Sequence, residues 1–237
     1  LSKFIFTKEN LDKYLLELSK DFRKRNGTKT PAELTIIGGA SVIINYGFRE
    51  LTEDIDAIIT ASSAMQESIN HVSDVFNLPH GWLNVDFMRT TSFTPNIIRF
   101  SKYYRTFSNI LTVRTISGEY LIAMKLKSGR QYKYDLSDVV GILLEYKKKG
   151  EPLTFERIKT AVEDLYNSYD ALPDVSKKFI EYALKQGDYE ALYKIVRKEE
   201  IENKKVLVDF DTKYPGVAKF DNINEIIERA KKKRDVP

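Results

Sequence analysis

The sequence contains no cysteine, and its 237 residues include only two histidines and one tryptophan. The absence of thiols excludes disulfides, cysteine nucleophiles and cysteine-held zinc, and it suits a reducing cytosol. His71 falls within a helical stretch and His80 follows Pro79. That spacing builds no zinc site, and no Ser–His–Asp arrangement follows from position. No apolar run reaches about 18 residues, so nothing in the sequence is long enough to span a bilayer as a helix. The opening residues, LSKFIFTKEN, lack the long apolar core of a signal peptide, and a cytoplasmic location is expected. Repeats and low-complexity tracts are missing as well. Charge of one sign is also scarce: 38 basic residues stand against 34 acidic ones, a net +4. Such an excess permits an acidic partner such as RNA without requiring one.

What is present is an ordinary globular composition, 42% hydrophobic and 30% charged, in a chain long enough for one large or two small cores. Leu11, Tyr14, Leu15, Leu18 and Phe22 recur at helical spacing and predict a helix over 8–25. A short strand over 33–37 runs into Gly38 and Gly39, a helix over 40–46 follows, and Gly47 stops it. Next come a strand over 54–59, a helix capped by Ser62 or Ser63 and ending near 76, and a strand over 82–87. A hairpin over 97–116 turns near Ser108 and Asn109. From Ser117 the pattern becomes helical, over 119–128, 136–149, 155–169, 174–186 and 189–203, and a basic helix over 223–234 closes the chain. The expected class is α/β (α+β): a mixed sheet flanked by helices over 1–117, then an all-helical domain over 118–237.

The chemistry concentrates in 36–60, IIGGASVIINYGFRELTEDIDAIIT. Glycines between a strand and a helix let a ligand approach the backbone, and the first helical amides with the helix dipole favour phosphate. Ser41 adds a hydroxyl donor. Asp54 and Asp56, two apart on a strand, project from one face. Ile55, Ala57, Ile58 and Ile59 draw that strand inward, where two like charges need a cation between them. Oxygen ligands beside phosphate suit Mg²⁺ or Mn²⁺. Each piece alone also fits a plain reading: Gly-Gly a tight turn, Asp-x-Asp a solvated surface. The P-loop pattern Gly-x-x-x-x-Gly-Lys is absent.

Taken jointly, Gly38-Gly39-Ala40, Gly47, Arg49, Thr52 and Asp54-Ile55-Asp56 resemble the signature of the DNA polymerase β-like nucleotidyltransferases, and within them the AbiEii-type toxin branch. The likeness continues through Glu119, Lys125, Arg130, Asp135 and Asp138, and covers about 34–144. One departure is that Arg49 and Thr52 stand one residue further apart than in that branch. The resemblance implies a nucleotidyltransferase-type sheet with a helical domain that closes the nucleotide cleft. By it, Gly38, Gly39 and Ser41 would cradle the β- and γ-phosphates of a nucleoside triphosphate such as ATP. Asp54 and Asp56 would hold Mg²⁺ or Mn²⁺, and Asp86, in Trp82-Leu-Asn-Val-Asp86, would be the third catalytic carboxylate. Lys125 would reach the triphosphate, and Arg49 would contact phosphate or brace the aspartate strand.

The activity implied is transfer of a nucleoside monophosphate to a hydroxyl. An RNA or tRNA 3′ end leads as acceptor, with a protein hydroxyl or a small molecule as alternatives, and a neighbouring antitoxin protein would be a partner. A different reading is a catalytically silent nucleotide- or RNA-binding regulator of the same fold. Three features fit local structure better than chemistry. Arg130 is expected to pair with Asp135 or Asp138. The basic runs 147–149 and 231–234 read as solvated helix ends that could also steer RNA. Phe100, Tyr103, Tyr104 and Phe107 read as sheet core.

Overall fold

The computed structural model describes residues 4–60, 62–219 and 222–234. It forms two compact units, Leu1–Met124 with Glu156–Ala171, and Lys125–Phe155 with Leu172–Pro237. The chain crosses between the two units three times, after 124, 155 and 171. Side-chain bonds explain why 156–171 returns to the first unit: Tyr166 Oη donates to Ser92 O at 2.8 Å, Tyr120 Oη to Asp164 Oδ2 at 2.7 Å, and Arg157 Nη2 to Glu119 Oε1 at 3.0 Å.

The first unit is a five-stranded mixed sheet, which has the expected class. Its strands are β1 (Ala32–Ile36), β2 (Ile55–Ile59), β3 (Leu83–Asn84), β4 (Ser101–Phe107) and β5 (Leu111–Ile116), in the order β3-β2-β1-β5-β4. β1 is antiparallel to β2 and parallel to β5, with Thr35 opposite both Ile58 and Arg114. Because side chains alternate between faces, this register sorts the sheet. Leu34, Ile36, Ile55, Ala57, Leu111 and Val113 turn to one side and join a buried cluster with α1 (Lys8–Asn26) and α3 (Ser62–Phe76). Asp56 and Ile58, Thr35, Asn84 and Arg114 turn to the other. Helix α1 starts on a capping box between Thr7 and Asn10, which satisfies two amides that the first turn leaves open. The expected cap at Ser62 or Ser63 lies outside the described side chains.

The hairpin turns at Ser108 and Asn109, both with left-handed φ (49° and 53°), and the Ile110 amide closes the turn on Phe107 O at 3.1 Å. Of the aromatic group, Phe107 is core, whereas Tyr103 is 62% exposed at the sheet edge. The strand expected over 82–87 shrinks to Leu83–Asn84. Asn84 ends it by accepting the Asp86 amide on its own side-chain oxygen at 2.9 Å, an Asx turn that diverts the backbone. Asp86–Arg89 then forms a 3-10 turn, and a second one, Pro95–Phe100, precedes β4.

The second unit is helical: α5 (Asp135–Lys148), α7 (Asp174–Gln186), α8 (Tyr189–Lys213) and α9 (Ile223–Arg234), with the last residues of α4 (Gly118–Ser128). Helix α6 (Phe155–Tyr166) lies in the first unit from Glu156 on. Helix α8 runs ten residues past the expected end at 203, because Val206 and Leu207 continue its buried face. The side chains of the basic run 231–234 fall outside those described. No described helix is long and apolar enough to cross a membrane.

Candidate active site

The Gly-Gly turn and the aspartate strand are built against each other. The Ile37 amide donates to Asp56 O at 2.9 Å, which fixes the end of β1 to the start of β2. Gly38 then takes φ +60°, a conformation that any side chain would strain. A Cβ placed on it would stand 3.1 Å from Asp56 Oδ2. Glycine is needed there twice, for the turn and for the approach of the carboxylate. Helix α2 (Gly38–Asn45) begins at this point, and its N-cap residue, Ile37, has no side-chain oxygen to cap the first turn.

Gly39 serves a second neighbour. A Cβ on it would lie 2.6 Å from Arg49 Nη2 and 2.8 Å from Thr52 Oγ1, so the guanidinium rests on the bare glycine. Arg49 is anchored by its Nε, which donates to Leu51 O at 3.1 Å, and by Nη2, 3.5 Å from the Thr52 hydroxyl. Thr52 is in turn buried and bridged through its backbone to Phe6. Acid and base are thereby delivered to adjacent residues of one helix start. The extra residue between Arg49 and Thr52 is accommodated, since both still reach Gly39.

Asp56 is half-buried, and Asp54 is exposed immediately before β2. Ser41 faces the other way. It is fully buried, its hydroxyl accepts the Ile116 amide at 3.1 Å and Asn45 Nδ2 at 3.4 Å, and it pins α2 to β5. The hydroxyl lies beneath the turn, where it anchors the helix to the sheet. Asp86 is also displaced from its expected strand: it opens the 3-10 turn with 76% of its side chain exposed, 3.8 Å from Arg89. Among the described residues, no group of three or more His, Cys, Asp or Glu is arranged to hold a metal. Asp54, Asp56 and Asp86 are therefore not gathered as a triad, and only the first two share a strand start.

Lys125 belongs to a cluster within the second unit. Its Nζ lies 2.9 Å from Asp135 Oδ1 and 3.0 Å from Asp138 Oδ2, and both acids are essentially buried. Arg130 grips Asp135 with Nε at 2.8 Å and Nη2 at 3.3 Å, as its position predicted. Two cations hold the Asp135 carboxyl down to about 2 against the opposing effect of burial. Arg197 stacks on Tyr134 at 3.9 Å and reaches 4.0 Å from Asp138 Oδ1.

Sequence reading missed Glu200. It is 2% exposed on α8, where Oε1 accepts the Leu136 amide at 2.8 Å and the Ser137 amide at 3.3 Å, while Oε2 meets the Ser137 hydroxyl. Burial, with Asp138 adding to it, pushes its carboxyl up to about 7. In Lys198-Glu199-Glu200-Ile201-Glu202 nothing marks one glutamate from the next. The only signal is periodic, since Val196, Glu200, Asn203 and Leu207 occupy one face of α8.

A family model described as "Nucleotidyltransferase of unknown function (DUF6036)" matches residues 13–183. No curated protein and no solved structure matches the chain.

Proposed function

Since the chain belongs to this nucleotidyltransferase family, we propose that it moves a nucleoside monophosphate from a nucleoside triphosphate to a hydroxyl acceptor. The observation that carries the proposal is the contact geometry at Gly38: a carboxylate lies against the first residue of a helix whose N-cap residue is Ile37, with an arginine on the next residue. An acid at a helix start is favourable by itself; what marks this one is the arginine on the next residue and the bare glycines that leave room for an anion at the same amides. Anionic phosphate at the α2 amides, next to Asp56, calls for a cation between them.

The donor set fits such a cation. Asp54 and Asp56 offer carboxylate oxygens at a solvent-open strand start, which suits Mg²⁺ or Mn²⁺ with phosphate and water completing the shell. The ion would supply positive charge at the α-phosphorus and the leaving oxygen. The chain's own residues do the rest. Gly38 and Gly39 turn backbone amides toward the phosphates. Arg49, held by Leu51 O and the Thr52 hydroxyl, neutralises the tail. The acceptor oxygen bonds to the α-phosphorus as the bond to the β-phosphate bridging oxygen breaks. Pyrophosphate leaves, and the hydroxyl proton passes to Asp54, the more exposed of the pair. Lys125 is committed to Asp135 and Asp138 within the second unit.

An RNA 3′ end is the proposed acceptor, and by the AbiEii resemblance the protein is proposed as a toxin with an antitoxin partner. Incubation with each labelled nucleoside triphosphate, total RNA and Mg²⁺ tests this. Wild type is expected to label RNA, and Asp54→Asn/Asp56→Asn is expected to lose at least about 10³-fold of that activity. Full labelling by the double variant would reject the mechanism. The placement of Asp86 outside the pair supports a second reading, a nucleotide-binding regulator without turnover. It predicts triphosphate binding with no labelled product.

A further inference from the structure

The cluster around Lys125 contains three acids and three cations: Asp135, Asp138 and Glu200 against Lys125, Arg130 and Arg197. Glu200 differs from the other two acids in its partners. Asp135 and Asp138 meet cations directly, within 4.0 Å or less. The contacts of Glu200 are two backbone amides and one hydroxyl. Those contacts are divided between its two oxygens. Oε1 accepts both amides, from Leu136 and Ser137, and Oε2 faces only the Ser137 hydroxyl. A hydroxyl accepts as readily as it donates. A proton on Oε2 would therefore keep every hydrogen bond of the arrangement, with the direction of one reversed.

We propose that Glu200 is a protonation-dependent positioning residue for Lys125, acting through the first turn of α5. The mechanism is short. Glu200 grips Leu136 and Ser137, and the residues on either side of that grip are Asp135 and Asp138, the two carboxylates that hold Lys125. Loss of the Oε2 proton places a third negative charge beside Asp138 and makes the cluster neutral. Gain of the proton leaves the three cations facing two anions. Lys125 is then less fully neutralised and better able to attract an external anion. The groups facing Glu200 are Leu136, Ser137 and Asp138 from α5; Asp138 is in turn met by Lys125 from the end of α4 and, at 4.0 Å, by Arg197 from the helix of Glu200 itself, stacked over Tyr134. One step further out, Arg130 holds Asp135, with half-buried Tyr132 near both. The raised carboxyl value near 7 agrees with this geometry and puts the change near neutrality. Glu200 also lies beyond residues 13–183, so it is a feature of this chain outside the family match.

The sign is fixed by linkage. A carboxyl whose folded value is raised takes up a proton on folding. The folded state is then favoured below the unfolded value, near 4.5, and that advantage is lost as pH rises through about 7. The anion-attracting role of Lys125 rests on the proposed nucleotide chemistry, but the proton site does not.

The test is by NMR on the full chain. The Glu200 carboxyl carbon and the Lys125 Nζ are followed from pH 5 to 8.5, and assigned by their loss in Glu200→Gln and Lys125→Met. The Glu200 carbon is expected to titrate with a midpoint near 7, and the Lys125 signal to move with the same midpoint. In Glu200→Gln the Lys125 signal is expected to stay flat. A Glu200 midpoint in the ordinary carboxylate range would overturn the proposal. So would a Lys125 signal that ignores the Glu200 titration, or one that titrates unchanged in the variant. Should Glu200→Gln fail to fold, coincidence of the two midpoints in wild type decides alone. None of these readouts needs nucleotide transfer, so failure of that activity and failure of this proposal are separable.

Discussion

The Gly38 turn and the Lys125 cluster both gather acids and bases at the first turn of a helix, and they treat the charge in opposite ways. At α2 the N-cap residue is apolar Ile37, Asp54 is exposed and Asp56 half-buried, and glycines hold the backbone bare beside them. At α5 the first turn is stoppered by Glu200, and Asp135 and Asp138 are each matched by a cation. An open arrangement of charge leaves binding capacity for something outside the chain. A closed one spends it on the chain itself, and desolvation takes back much of the gain. Function should therefore fail when the first is altered, and folding when the second is.

The largest effect expected is on the closed side. Asp135→Asn leaves Lys125 and Arg130 short of their shared partner, and should destabilise the second unit by about 3–5 kcal/mol, read by urea unfolding. A change below about 1 kcal/mol would mean that the cluster is not as closed as its distances say. The acid limb comes next. The Asp135 carboxyl is held low, to about 2 from an ordinary 3.8. Its contribution is complete above about 4 and is lost as pH falls through 2, a change of about 2 kcal/mol. Melting curves between pH 5 and 2 should show this loss in wild type and not in Asp135→Asn.

On the open side, Gly39→Ala drives a Cβ into the Arg49 guanidinium. It should cost about 1–3 kcal/mol as local overpacking and weaken triphosphate affinity, measured by titration calorimetry. Unchanged affinity would remove Arg49 from the site. The smallest effect is expected from Asp86→Asn: less than about tenfold in transfer rate, since about 1.4 kcal/mol corresponds to tenfold and this exposed acid stands outside the pair. A loss of several orders of magnitude would show that the 3-10 turn moves in to complete a triad.

Much of the open site was legible in the chain. Two glycines between a strand and a helix, followed by two acids spaced for one strand face, express backbone needs that few other residues meet. The closed site was not. Lys125 shares its helix with Leu121 and Ile122, so its inward direction was readable, but a pattern cannot tell whether the anion it meets is a phosphate or Asp135 and Asp138. Glu200 was invisible because its partners are backbone amides, which have no sequence. Asp86 was misplaced for a related reason: Trp82-Leu-Asn-Val alternates like a strand, and the Asn84 side chain ends it through a bond that composition does not record. The fold class was readable because periodicity survives such local events. The grouping of 156–171 with the first unit leaves no such periodic trace, because it depends on tyrosine and arginine partners far away in sequence.

That return has a consequence for how the protein is made. The first unit is discontinuous, and its last segment, Glu156–Ala171, is synthesised after the whole of Lys125–Phe155. A ribosome delivers the sheet early, but Tyr166 cannot reach Ser92 until more than seventy further residues have emerged. A nascent chain arrested before that point holds the acid-bearing sheet without one of its helices. The Gly38 turn can thus be formed well before the unit that carries it is complete, and fragments that stop near 124 should be poor stand-ins for the first unit.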